Sequence, residues 1–460
     1  MPPAPEPAAT ARGAAPRLSP WTLACYSAPG VPAAIALYAV GVIVPGFYGS
    51  YVGLSATAIG LILLVTRLTD VLFDFGAGAL SDLTASPWGR RKPWILAGAL
   101  VLAAGFAIQM TPAKGSGAAY FLWGSVAFFL GWSLLNVPYD AWGSELAADY
   151  QSRSLLFTYR AAASYTGSLL FSLIPVLPFF HSTEYSPQVL RFIAWTAAIL
   201  LAAFVPLALV VAPKEARAPR TPLDFAAFAS TLRRNRPLQI YIGSAILNGL
   251  SDGVFTALVF IYQASYMGFA RQIWIILATY IVASFLALPI WSAVVRRIGK
   301  HKAWAAGLFL TALCYPPMAL LPARPASLIP MLALIALAGG TYSIANVASP
   351  AVLGDVVDYE TLKSGASKGG AFFAVQALLN KFNVAVGGGV GFLLIGWFGF
   401  NPAQATHTAL AVFGVKFAHL FVPSLLKFGA IALIWRFPLD ARSQSIVKRR
   451  LDGLAARAPS

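Results

Sequence analysis

One apolar run contains Thr66-Arg67-Leu68-Thr69-Asp70-Val71-Leu72-Phe73-Asp74. Offsets of three, four and seven residues put Arg67, Asp70 and Asp74 on one face if the run is helical. Two carboxylates one turn apart can take a hard cation such as Na⁺ between their oxygens. Alternatively, their mutual repulsion keeps a proton on one of them. The plainer reading is a salt-bridged set with Arg67 that only joins helices. A second run, Asn136-Val137-Pro138-Tyr139-Asp140-Ala141-Trp142, precedes Glu145. Pro138 removes a backbone donor and frees carbonyls to line a cavity. Asn136 and Asp140 share a face, with Trp132, Tyr139 and Trp142 nearby. Aromatic faces beside hydrogen-bonding groups suit a sugar or another amphipathic solute, although Trp142 also fits an interfacial belt.

A third run holds Gln376, Asn380, Lys381 and Asn383 ahead of Gly387-Gly388-Gly389. A mid-span lysine among amides is expensive as packing alone, and the glycines allow close helix contact or bending. Arg160 opens another apolar run and is free to pair with Asp140 or with a solute. Asp252, after Asn248 and Ser251, offers a contact from the second half of the chain. Lys416 is placed to snorkel outward, and nothing in the sequence assigns Lys427. Arg67, Arg160 and Lys381 balance Asp70, Asp74 and Asp140, so one shared cavity would be neutral when empty.

These residues need elements to hold them. Of 460 residues, 11% are charged and 58% hydrophobic, with mean hydropathy +0.71. Soluble domains carry roughly 25% charged residues, so the composition specifies an integral membrane protein. A span needs about 20 apolar residues, which predicts twelve: 22–50, 56–83, 93–112, 118–147, 155–178, 189–212, 237–265, 270–296, 303–321, 327–356, 369–398 and 408–437. The organisation expected is a cytoplasmic tail over 1–21, a six-helix bundle over 22–212, a central cytoplasmic loop over 213–236, a second six-helix bundle over 237–437 and a tail over 438–460. No cleavable signal is read at the start.

The net charge of +17 would suggest nucleic acid in a soluble chain. With both termini cytoplasmic, however, 24 basic residues fall in inner segments and four in outer loops. That positive-inside asymmetry sets an inner-membrane orientation and removes the nucleic-acid reading. The halves also repeat. Gly89-Arg90-Arg91-Lys92-Pro93-Trp94 returns as Gly299-Lys300-His301-Lys302-Ala303-Trp304, 210 residues on. Asp149-Tyr150 returns as Asp358-Tyr359, 209 residues on. A six-span unit repeated in parallel is the layout of two-bundle transporters, with the site between halves near mid-membrane. Cys25 and Cys314 lie in apolar runs and form no disulfide framework.

Together these motifs resemble the major facilitator superfamily, specifically its melibiose-permease-like glycoside–pentoside–hexuronide:cation symporters. The matching pieces are Asp70/Asp74, the 88–94 loop, the 136–139 motif, Arg160, Val356-Val357-Asp358-Tyr359-Glu360 and the Val375–Lys381 stretch. The resemblance implies an all-α fold of twelve transmembrane helices in two bundles. It implies cation-coupling roles for Asp70, Asp74, Ser133 and Lys381. It also implies substrate-pocket positions at Arg160 and Gln376, with Lys381 linking the two sites. Joined to the residues read above, the expected pocket is Trp132, Asn136, Tyr139, Asp140, Arg160, Asp252, Asn346, Gln376, Asn380 and Lys381, and the expected cytoplasmic gate is Asp82, Arg90, Arg91, Glu145 and Asp358. Departures are as informative. Phe73 replaces the amide between the two carboxylates and supplies no oxygen, which favours H⁺ over Na⁺. Ala34 and Asn136 stand where the family has sugar-binding carboxylates, and Asp140 and Asn346 where it has stacking aromatics.

The expectation is a monomeric cation-coupled symporter of a glycoside or uronide, working by alternating access without a cofactor beyond H⁺ or Na⁺. A lysolipid or other anionic amphiphile is the alternative within the same fold. A membrane receptor or enzyme is the remote one: His181, His301, His407 and His419 form no metal-spaced pair, and no nucleophile motif or sizeable soluble domain is present.

Overall fold

A computed structural model of the chain describes residues 18–146, 150–214, 225–365, 369–404 and 406–455. No strand occurs among them. Eleven helical segments are long and apolar enough to cross a membrane. They are α1 (Pro20–Val52), α2 (Ala56–Leu83), α3 (Lys92–Met110), α4 (Ala118–Leu146), α6 (Pro187–Val211), α8 (Arg236–Tyr266), α9 (Ala270–Ile298), α10 (Lys300–Leu320), α11 (Pro325–Ser364), α12 (Gly369–Trp397) and α13 (Ala409–Ile434). The twelfth is α5 (Tyr150–Leu173). Its 24 residues reach about 36 Å, enough to span, but Arg160, Ser164, Thr166 and Ser168 dilute its apolar character. Two further helices were not expected: α7 (Phe225–Arg234), inside the central connection, and α14 (Ala441–Ala455), within the stretch read as a tail. The Asp149 half of the second repeat lies outside the described residues.

The helix ends follow local chemistry. Ser55, Ser186, Asn235 and Thr408 each accept a backbone N–H with the side chain at the starts of α2, α6, α8 and α13. Asp440 does the same for α14, accepting from Ser443 N at 2.8 Å. α1 and α8 end in wide π turns, Tyr48–Val52 and Ile261–Tyr266, at matching places in the two halves.

α2 shows how one helix meets both lipid and protein. Ile59, Ile62, Thr66, Asp70, Ala77 and Ser81 form a buried stripe, while Leu61, Val65, Leu68 and Leu72 are exposed. Helical periodicity alone therefore turns Asp70 inward and leaves leucines for lipid. α3 and α4 pack backbone to backbone, because a Cβ on Gly131 would lie 2.2 Å from the Leu102 nitrogen. The halves meet through α2–α12, α5–α9 and α1–α8. At Gly60 an added Cβ would come within 2.9 Å of the Gly389 carbonyl, so only small residues allow α2 and α12 to approach this closely. Arg271 Nε donates to Glu184 at 3.2 Å, and Thr183 donates to the Arg271 carbonyl at 2.6 Å, tying the halves at the same end.

Candidate functional site

The stripe on α2 meets α4 and α12 in the middle of the fold. Ser133, fully buried on α4, donates to Asp70 Oδ1 at 3.1 Å. Arg67 lies 3.6 Å from Asp70 Oδ2 and stacks its guanidinium 4.2 Å above the Phe129 ring. Asp74, one turn on, takes a different partner: Lys381 of α12 donates to its Oδ2 at 2.5 Å. That ion pair crosses between the two halves of the chain. Asp74 Oδ1 is buried and accepts no hydrogen bond among the described residues. A buried carboxylate oxygen without a donor costs on the order of 1–3 kcal/mol or more, so the atom is a place where a proton or cation would be stabilised.

The oxygen set within reach is small. Asp70, Asp74 and the Ser133 hydroxyl supply it, while Thr66 and Thr69 turn their hydroxyls to backbone carbonyls. Hard cations ask for about six oxygens, and Phe73 adds none. Among the described residues no group of three His, Cys, Asp or Glu gathers as a metal cluster.

Arg160 forms an ion pair with Asp140, whose side chain is 61% exposed. Its guanidinium sits 4.5 Å above the Tyr139 ring. Tyr139 is itself 2% exposed and stacked on Tyr26 at 4.7 Å, with the two phenols bonding to each other's backbone carbonyls. Tyr139 is therefore a platform beneath Arg160, not a wall of the opening. Asn136 is half-buried and donates to the Trp132 carbonyl in its own helix at 3.3 Å. Trp132 is half-buried against Phe128. On the opposite half, Asn346 and Asn380 are exposed, and Gln376 donates to Ser349 at 3.3 Å. The single pool of six charges expected from the sequence is thus resolved into three separate ion pairs: Arg67–Asp70, Lys381–Asp74 and Arg160–Asp140.

At one end of the bundle, four of the five residues expected as a gate converge. Glu145 Oε1 accepts from Arg91 at 2.5 Å and from Arg90 at 2.8 Å, and Arg91 also lies 3.4 Å from Asp82. The fifth, Asp358, is elsewhere: it accepts from Gln444 of α14 at 2.9 Å. The equivalent pair in the second half is Lys300–Asp355 at 2.5 Å. It has the same separation of 55 residues as Arg90–Glu145, displaced by 210. Applying the loop repeat to Glu145 would have found Asp355 from the sequence.

Three readings of polar residues change. Trp142 is not in an interfacial belt: it is fully buried, and its indole N–H donates to the Pro213 carbonyl at 3.0 Å. Lys416, read as snorkelling outward, has a specific partner: it donates to the Ala319 carbonyl, 2.8 Å away at the end of α10, where a helix dipole favours a cation. Lys427 does have partners, Asp252 at 2.7 Å and Asn248 at 2.9 Å. The signal was present in the i, i+4 placement of Asn248 and Asp252, which demands a cation from another helix. Tyr26 and Phe129, which hold Tyr139 and Arg67, carried no such signal because nothing distinguishes them from other apolar-run aromatics.

Comparison with known proteins fits this arrangement. Residues 25–441 match the family model described as MFS/sugar transport protein. The chain is 25% identical over 418 residues to a glucuronide carrier protein homolog of Escherichia coli (strain K12), covering 87% of this chain and 89% of that one. It is 24% identical over 405 residues to the isoprimeverose transporter of Lactiplantibacillus pentosus, covering 85% and 82%. Its fold resembles the crystal structure of a D-xylose-proton symporter, with a TM-score of 0.62 at 16% identity, covering 91% of this chain and 97% of that one.

Proposed function

The chain belongs to the MFS/sugar transport protein family, and from that premise we propose that it is a cation-coupled symporter of a glycoside or uronide. One observation carries the coupling: Asp74 binds Lys381 of the other half through one oxygen and leaves its other buried oxygen without a donor. A cation arriving at Asp70 and Asp74 neutralises the charge that holds Lys381. The lysine is then free to turn toward solute, and the tie between the halves loosens. By linkage, solute bound near Lys381 raises affinity for the cation by the same factor. The sparse oxygen set favours H⁺ over Na⁺.

On this reading, Asn136, Arg160, Gln376, Asn380 and Asn346 supply the donors and acceptors that meet the solute. Arg160 and Lys381 favour an anionic or oxygen-rich solute. The glucuronide and isoprimeverose relatives support the same class. The segments 22–212 and 237–437 act as the rocking bundles, closed at one end by the Gly60–Gly389 contact and gated at the other by Asp82, Arg90, Arg91 and Glu145. The 24-to-4 distribution of basic residues supports an inner-membrane orientation with both termini cytoplasmic.

The test is counterflow in proteoliposomes with a panel of glycosides, uronides and lysolipids, with and without Na⁺ and at two pH values. Exchange of a glycoside or uronide that responds to pH is the expected result. Exchange of lysolipids alone, or of nothing in the panel, overturns the proposal.

A further inference from the structure

Asp252 and Lys427 form an ion pair distinct from those of the α2 carboxylates, joining α8 to α13 within the second half. Lys427 is 1% exposed, and it spends two of its three donors on Asp252 Oδ1 and Asn248 Oδ1. The Asn248 amide donates to Asp252 Oδ2 at 3.0 Å. The Asp252 side chain keeps 12% exposure. A carboxylate offers about four lone-pair positions, and here the protein fills two.

Gluing α8 to α13 does not require these charges. Ser251 already donates to the Pro423 carbonyl at 2.9 Å, and Ser244 to the Ala430 carbonyl at 3.3 Å. Apolar residues of similar volume would also join the helices as well or better than a buried ion pair. Tyr280, Tyr315 and Tyr342 lie within electrostatic reach of Asp252. The Tyr342 ring lies 6.0 Å from Lys427 Nζ and 5.7 Å from the Tyr280 ring. Tyr280 and Tyr38, from opposite halves, line one crevice with Thr256. The hydroxyls of Tyr38, Tyr280 and Tyr342 have no hydrogen-bond partner within the protein among the described residues. Unfilled carboxylate positions and unpartnered phenols near one another offer both acceptors and donors.

We propose that Asp252, Tyr280 and Tyr342 form a second-half subsite for the hydroxyl groups of a sugar ring, with Lys427 and Asn248 as positioning residues that balance and aim the carboxylate. The inference rests on the symporter reading above and adds an orientation to it. Ring hydroxyls donate to Asp252 and exchange hydrogen bonds with the phenols. A carboxylate on the solute is repelled from Asp252 and lies toward Arg160 on the first half. The subsite therefore selects polyhydroxylated rings and treats neutral glycosides and uronides alike, while Arg160 distinguishes them.

The test is counterflow of labelled methyl β-D-glucuronide and methyl β-D-xyloside by the full chain in proteoliposomes. Tyr342→Phe and Tyr280→Phe remove only a hydroxyl and retain packing. Each is expected to raise the half-saturating concentration of both probes about 3- to 10-fold with an unchanged melting temperature. Asp252→Asn is expected to raise it roughly 10- to 100-fold for both, and Arg160→Gln to weaken the glucuronide far more than the xyloside. Wild-type exchange that both phenylalanine variants and Asp252→Asn leave unchanged overturns the subsite while leaving the symporter standing. Tighter glucuronide binding by Asp252→Asn overturns the orientation. A wild-type protein that exchanges neither probe nor any other glycoside overturns the symporter reading and the subsite with it.

Discussion

The two halves bury charge on opposite plans. In the second half, Lys427, Asp252 and Asn248 close on one another within α8 and α13, and the lysine is sealed from solvent. The first-half carboxylates are left incomplete. Asp70 is held by Ser133 and Arg67 nearby, but Asp74 reaches across to Lys381, which keeps 32% exposure, and one of its oxygens has no donor. A set held within one half fixes geometry, whereas one that spans the two halves can change partners. That difference separates a group suited to holding a recognition surface from one suited to coupling an ion to movement.

Mutations that remove one partner should expose the contrast, beginning with the largest effect. Lys427→Met strands a buried carboxylate and is expected to destabilise the fold by about 3–5 kcal/mol, read as a lower thermal unfolding midpoint in detergent. Asp252→Asn in the same background should recover part of it. Equal stability of Lys427→Met and wild type would remove the claim that this set is closed.

The end clusters offer the next comparison. Arg91 is fully buried between Asp82 and Glu145, whereas the equivalent pair within the second half, Lys300–Asp355, uses a lysine with 35% exposure. Arg91→Ala is expected to cost about 2 kcal/mol and Lys300→Ala under about 1 kcal/mol in the same unfolding assay. The reverse order would show that the two ends are not graded by burial.

Lys381→Met should cost about 1 kcal/mol of stability, the low end for a carboxylate left without its donor because Asp74 can take a proton instead, yet abolish accumulation, because the role of the lysine is to be released. A variant with normal accumulation would dissolve the distinction between open and closed sets.

The smallest effect lies outside the membrane, at the start of α14. Hydrogen bonds from Ser443 hold the Asp440 carboxyl below its ordinary range. A depressed folded-state value means that the cap contributes fully above the ordinary aspartate range and is lost as pH falls through the lowered one. Asp440→Ala should fray α14 at neutral pH, seen as faster amide exchange over 441–455. Acidification should then make the wild type resemble the variant.

Much of this was legible in the sequence because membrane helices are simple to read. Hydrocarbon thickness fixes their length, and intramembrane charges are too costly to be incidental, so Asp70, Asp74 and Lys381 stood out before any coordinates. Pairing was harder. Helical spacing places Asp70 and Asp74 on one face, but only packing shows that Arg67 serves one carboxylate and Lys381 the other. Tyr139 and Trp142 were hard to place for a related reason, since an aromatic in an apolar run is equally suited to a pocket wall, an interface or a core. α5 was found by the same search for apolar runs despite its weak hydropathy, but was placed five residues late, over 155–178 instead of Tyr150–Leu173. α14 was missed because a basic amphipathic helix and a solvated tail share a composition.

The central claim is that Asp70 and Asp74 couple a cation to solute movement, and the most direct measurement compares accumulation with exchange in the same proteoliposomes. With a pH gradient imposed and a labelled glycoside or uronide supplied, wild-type protein should concentrate solute. Asp70→Asn and Asp74→Asn should bring the accumulation ratio to about one while retaining counterflow. Undiminished accumulation in both variants would contradict the account.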